Sequence, residues 1–181
     1  VAEAKVGDEF ITHEFDEAIA IQRAIVEAGQ RLGKVHPHRP SRTAIAAATR
    51  EDETFLRTLE RLGEAKGATG KIEDVAEGID GLLSSSVEKA GDAPSEAYEA
   101  HAVLLNAKRK QQDSADGMLR IARARKDTEV RDAATEFGRA QKAACKALGD
   151  ALADFAVVIA QADRPTAIRR NSRSSSATSR S

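Results

Sequence analysis

The chain has no tryptophan, one tyrosine, five phenylalanines, one methionine and one cysteine. A lone thiol, Cys145, excludes an intrachain disulfide and any zinc site built on cysteines. That usage predicts the cytoplasm, although a periplasmic protein without disulfides would have the same composition. Long apolar runs are missing too. The most apolar stretch, Ala151 to Ala160, falls well short of the roughly 20 residues that a spanning helix needs, so neither a membrane segment nor a signal peptide is predicted. Gly-rich phosphate loops, nucleophile elbows and zinc-ligand spacings are absent as well, and no residue is assigned a catalytic role.

What is there is alanine, together with 31% charged residues. That mixture suits helices that approach one another closely. At 181 residues the chain has room for one domain with a real core and a tail. The tail is residues 164–181, rich in Ser and Arg and low in complexity, with Arg164, Arg169, Arg170, Arg173 and Arg180 and no acid. Five positive charges set against an overall −1 leave −6 on residues 1–163. A mildly acidic body argues against nucleic-acid binding by bulk electrostatics.

Apolar periodicity predicts five helices. The first runs from Asp8, its cap, to Leu32, with Gly33 as the stop. Its apolar arc is wide, with Phe10, Ile21 and Ala28 to one side and Ile11, Phe15, Ile19 and Val26 to the other. The second side is expected to meet another subunit or a crossover segment. Lys34 to Pro40 reads as a Pro-rich loop whose His36 and His38 are solvated rather than metal-binding. Helix two spans Ser41 to Lys66, with Ile45, Ala48, Phe55, Leu56, Leu59 and Leu62 on its stripe and Asp52 inside it. The glycines after Lys66 end it. A short crossover helix over 71–90 follows, weakened by Gly78 and Gly81. Helix four is expected from Ser95 to Lys126. Helix five is expected from Glu129 to Gln161, capped by Asp127 or Thr128 and closed by Pro165. Two long helices, a short crossover and two more long helices describe an all-α, ferritin-like four-helix bundle.

The stretch Asn106 to Asp116 carries the functional question. Extending the stripe of Tyr98, Ala102 and Leu105 toward Leu119 and Ala122 passes through Arg109, Gln112 and Asp116. A core helix that turns polar at mid-length has to satisfy those groups internally, and that depth is where bundles build metal and cofactor sites. Gln141 interrupts the stripe of helix five in the same way.

At this point the chain resembles the YciF-like, stress-associated family of ferritin-like proteins. The likeness rests on Phe55-Leu56-Arg57-Thr58-Leu59-Glu60-Arg61-Leu62-Gly63-Glu64, the Gly-rich turn after it, and Val75-Ala76-Glu77-Gly78-Ile79-Asp80-Gly81-Leu82. The order and lengths of the segments agree over about Asp8 to Gln161. The resemblance implies a fold, but the ligands have gone. The family's Glu-His-Tyr-Glu run falls on Arg109-Lys110-Gln111-Gln112, and its Asp-Glu-Glu-Lys on Arg139-Ala140-Gln141-Lys142. Its Glu-Glu-His falls within Thr43 to Thr49. Glu17 alone keeps an acidic match. A di-metal site needs about four carboxylates and two histidines, so neither metal nor cofactor is expected.

In place of a metal, the guanidinium of Arg109 is expected to occupy the centre, paired with Asp52 and Glu17 and flanked by Gln112, Asp116 and Gln141. The function read from this is non-enzymatic: a metal-free structural or interaction protein that self-associates through helix one. An alternative is a diverged iron or manganese oxidase or storage protein using Glu14, Glu17, Asp52, His101 and Asp116. A third reading is an anionic-polymer binder acting through the arginine tail.

Overall fold

A computed structural model describes residues 2–69 and 74–162, with side chains from residue 7 onward. The described residues form helices α1 (Ala2–Val35), α2 (Arg39–Ala65), α3 (Asp74–Lys89), α4 (Pro94–Arg125) and α5 (Thr128–Ala162), and no strand. The tail and Pro165 lie outside them.

The helix ends have readable causes. At the end of α2, Gly67 takes φ +82°, and Ala68 N–H bonds back to the Gly63 carbonyl while Gly67 N–H bonds to Glu64. This is a Schellman stop, with glycine where the left-handed conformation is needed. The end of α4 repeats the pattern with Lys126 at φ 57°, where Asp127 N–H bonds to Ala122 O and Lys126 N–H to Arg123 O. Asp127 then caps α5 by accepting Val130 N–H at 3.0 Å. Its carboxyl sits below the usual range because Lys66 bonds to it and Val130 N–H adds to the effect. Ser41 does not cap α2 as expected. His38 holds the cap position and Ser41 is buried one turn inside. Helix α1 runs through Asp8, which instead pairs with Arg125 at 2.5 Å.

Each long helix presents a stripe at alternating spacings of three and four. On α4 it is Ala97, His101, Leu104, Lys108, Gln111, Ala115, Met118 and Ala122, all buried. On α5 it is Val130, Ala134, Phe137, Gln141, Ala144, Leu148, Ala151 and Phe155. Such a repeat packs helices side by side at small crossing angles. Helix α1 packs on α2 and α4, and α5 packs on the same two, so the four long helices close a cycle. Helix α3 packs on α1 and α4 from outside it.

The core is two apolar clusters. One holds Phe15, Leu59, Leu62, Met118, Val130 and Phe137. The other holds Ile25, Leu32, Ile45, Leu104 and Leu148, with Leu83 and Val87 of α3. Following residue numbers between the clusters gives the directions. Helices α1 and α5 run one way, α2 and α4 the other, and α3 returns the chain from the end of α2 to the start of α4. The side of α1 that carries Ile21 and Ala28 is covered by the crossover, while Phe15 and Ile19 of the other side are buried in the bundle's first cluster. Ile21, Ala24 and Ala28 join Ala76, Leu83 and Val87 in one cluster.

Close approach of α1 and α2 depends on Gly29, where a Cβ would stand 2.3 Å from Thr49 Oγ1. That hydroxyl donates to Ile45 O at 2.8 Å. Gly29→Ala is expected to lower the urea midpoint by an amount equal to about 1–3 kcal/mol, despite alanine's better helix propensity. Adding Thr49→Ala should recover most of the loss. Recovery failing to appear would place the strain elsewhere.

Candidate functional site: a polar layer between two apolar clusters

Between the two clusters lies one layer of buried polar side chains, supplied by all four long helices. These are Gln22 from α1, Asp52 from α2, Lys108 and Gln111 from α4, and Gln141 from α5, none more than 2% exposed. Asp52 is the hub. Its carboxylate accepts from Lys108 Nζ at 2.7 Å (Oδ1) and 2.6 Å (Oδ2), from Gln141 Nε2 at 2.9 Å and from Gln22 Nε2 at 3.0 Å. Gln111 Nε2 donates to Ala18 O at 2.8 Å and to Gln22 Oε1 at 3.1 Å. The amide orientations follow from these partners. Turning Gln141 or Gln111 over would set an oxygen against the Asp52 carboxylate or the Ala18 carbonyl. As placed, Gln111 Oε1 and Gln141 Oε1 accept no hydrogen bond from the protein.

The expected cluster is thus re-formed with different members. Asp52 and Gln141 belong to it. Arg109 does not: it is exposed on the outer side of α4 and donates to its neighbour Asn106 at 3.3 Å. Asp116 is exposed and Gln112 half-buried, both one position away from the true stripe. Glu17 is half-buried and pairs with Lys110 at 2.7 Å, away from Asp52. The physical reason is a slip of one residue in helix phase, some 100° of rotation. A fixed cation does stand at the centre, but Lys108 supplies it.

The chain has no significant match among protein-family models, curated proteins or solved structures.

The layer's donors can be set against a carboxylate-bridged di-metal centre, which requires about four carboxylates and two histidines facing inward. Here a single carboxylate is present, and both its oxygens are held by an ammonium. Lysine cannot ligate while charged, and its charge repels a metal ion, so the residues do not fit the group. Nor do Glu14, Glu17, Asp52, His101 and Asp116 converge, and among the described residues no three His, Cys, Asp or Glu side chains form a group that would hold a metal.

A second buried feature lies at the far end of the cluster that holds Leu104 and Leu148. His36 and His101 are both fully buried, with ring centroids 5.4 Å apart and planes near perpendicular. The His36 ring also meets Phe155 at 4.8 Å, and His38 stacks on Phe155 at 5.1 Å. His36 was expected in solvent. It is enclosed because the connector between α1 and α2 is only three residues long and folds inward over α4 and α5. His38 N–H donates to His36 Nδ1 at 3.2 Å, which leaves the proton on Nε2, and Nε2 has no partner. Neither ring nitrogen of His101 has one within bonding geometry, although the Leu148 backbone lies near enough to offset part of the effect of burial. Burial pushes both imidazoles down to about 4, helped at His36 by the neighbouring His101, His38 and Arg42. Ser41 joins this end, sharing a 2.9 Å contact with His38 Nδ1 and donating to Ala151 O at 3.3 Å. Being fully buried, Ser41 is a structural hydroxyl rather than a nucleophile. Burial likewise raises the Cys145 thiol, which keeps it protonated and unreactive at neutral pH.

Proposed function

We propose that this chain is a ferritin-like four-helix bundle in which the Lys108 ammonium takes the place of a metal, and that it serves as a non-enzymatic structural or interaction protein. The observation that carries the reading is the pair of 2.6 Å and 2.7 Å contacts from Lys108 Nζ to the two Asp52 oxygens, at the depth where such bundles house their metals. The helix directions support it, because one crossover segment between two antiparallel pairs is the ferritin-like arrangement. The layer's part in this reading is specification. An apolar layer would tolerate a slipped heptad, whereas Lys108 on α4 meets Asp52 on α2 in one register only.

Self-association through α1 loses most of its basis, since α3 packs over the Ile21 and Ala28 side and Phe15 and Ile19 of the other side are buried in the bundle. Phe10, at 52% exposure, is the large apolar residue α1 still presents near its start. The nucleic-acid reading rests on the tail, outside the described residues. No described helix is long and apolar enough to cross a membrane.

Elemental analysis of protein purified without chelators is the direct test. Iron and manganese are expected well below one per chain, with a melting temperature unmoved by Fe²⁺, Mn²⁺ or chelator. Stoichiometric metal would sink the reading and favour the oxidase or storage alternative.

A further inference from the structure

A groove of about 540 Å³ opens at the end of the molecule where α2 and α4 begin and α5 finishes. Phe155, Val158 and Ile159 of α5 and three prolines, Pro37, Pro40 and Pro94, give it apolar walls. Val158, 48% exposed, leaves apolar surface facing water here. The polar side chains on the lining are His38, Arg39 and Ser95, with no carboxylate among them. Helices α2 and α4 both start at this groove, both carry proline in the first turn, and neither has a side-chain cap on its first N–H groups. Two helix N-termini and a guanidinium therefore meet beside an apolar channel, and Glu96 in the first turn of α4 stands off its lining.

Charge selects the occupant. A second copy presenting the same face would bring Arg39 and the two helix starts against their own kind. Residues 163–181 follow Ala162 on the rim, but with five arginines against the single acid Asp163 they carry the wrong sign. Size selects further. A helix is about 10–12 Å across, so this volume would take roughly one turn of it, whereas it lies within the ordinary range for a small-molecule pocket. We propose that the groove binds a single-chain amphiphile with an anionic head, a medium- or long-chain carboxylate. Its chain lies along Phe155, Val158 and Ile159, and its head group is held by Arg39 and the free N–H groups of α2 and α4. This binding is independent of the polar layer between the two apolar clusters.

Calorimetric titration of the full chain with octanoate, decanoate and dodecanoate, each below its micelle threshold, tests the idea. Affinity is expected to rise about fourfold per added methylene, the ratio set by burying one such group. Dodecanol should bind about tenfold more weakly than dodecanoate. Arg39→Gln should remove that preference and leave dodecanol unchanged. Val158→Asp, at a position 48% exposed, should weaken both ligands at least tenfold while leaving the melting temperature near that of wild type. Affinity independent of chain length, or dodecanoate binding untouched by Val158→Asp, would overturn the proposal. So would an acidic amphipathic peptide that occupies the groove while the carboxylates do not.

Discussion

Lys108→Ala is expected to lower stability by about 3–5 kcal/mol, because it leaves the Asp52 carboxylate buried without its counter-charge. For a domain of this size that is a fall of about 6–20 °C in melting temperature. The magnitude comes from the orphaned partner and says little about the pair's own worth, since removing two charges from water offsets most of their attraction. The double variant Lys108→Met with Asp52→Asn separates the two quantities. Methionine fills the path of the lysine stem, and the amide oxygen introduced on α2 can still accept from Gln22 and Gln141, which donate to Asp52 Oδ1 in the native layer. Compared with Lys108→Met and Asp52→Asn made singly, the double variant should show a coupling of about 2 kcal/mol or more in a double-mutant cycle. Arg109→Ala, at an exposed position next in sequence, should change stability by no more than about 0.5 kcal/mol. Equal melting temperatures for the alanine variants at 108 and 109 would mean that the ammonium is not at the centre.

That contrast between neighbours also shows how far the residues alone lead. All five helices are legible from apolar spacing, with ends within about three residues except at the start of α1; the expected start of α3 at residue 71 lies outside the described residues. So is the polar interruption at the middle of α4. What is not legible is its phase. The buried stripe of α4 is carried at Ala97, Ala115 and Ala122 by methyl groups and at His101, Lys108 and Gln111 by polar groups. Tyr98, Leu105 and Leu119 meanwhile flank it on one side and pull the apparent face around by one residue. Starting the stripe at Ala97 instead of Tyr98 exposes the unbroken alternation of three and four, and with it Lys108 and Gln111. Gln22 was missed for another reason. The arc of α1 is wide because it serves α3 as well as the cycle, and one amide within a broad apolar arc gives no periodic signal. The burial of His36 depends on where the ends of α4 and α5 come to rest, which no local pattern encodes.

Those buried histidines lead to the second large effect, a loss of stability in mild acid. An imidazole whose pKa is depressed on folding takes up a proton more readily in the unfolded chain, so acid favours unfolding. With His36 and His101 lowered from 6.5 to about 4, their contribution is fully present above about pH 7 and is lost as pH falls through 6.5 toward 4. Between pH 7.5 and pH 5 each imidazole should cost about 2 kcal/mol, or about 4 kcal/mol for the two. The surroundings offer no counter-charge. The side chains acting on His36 are two more imidazoles and Arg42, all cationic or able to become so, and no carboxylate acts on either ring. Arg42 is held in place by donating to the His36 carbonyl at 2.8 Å. Urea unfolding of wild type and His101→Leu at the two pH values measures the effect. Leucine fills much of the ring's space without a titrating nitrogen, so the variant should lose about half as much stability between pH 7.5 and 5 as wild type does. The same shift in both proteins would show that His101 is already paired or hydrated in the fold, and that the acid sensitivity arises elsewhere.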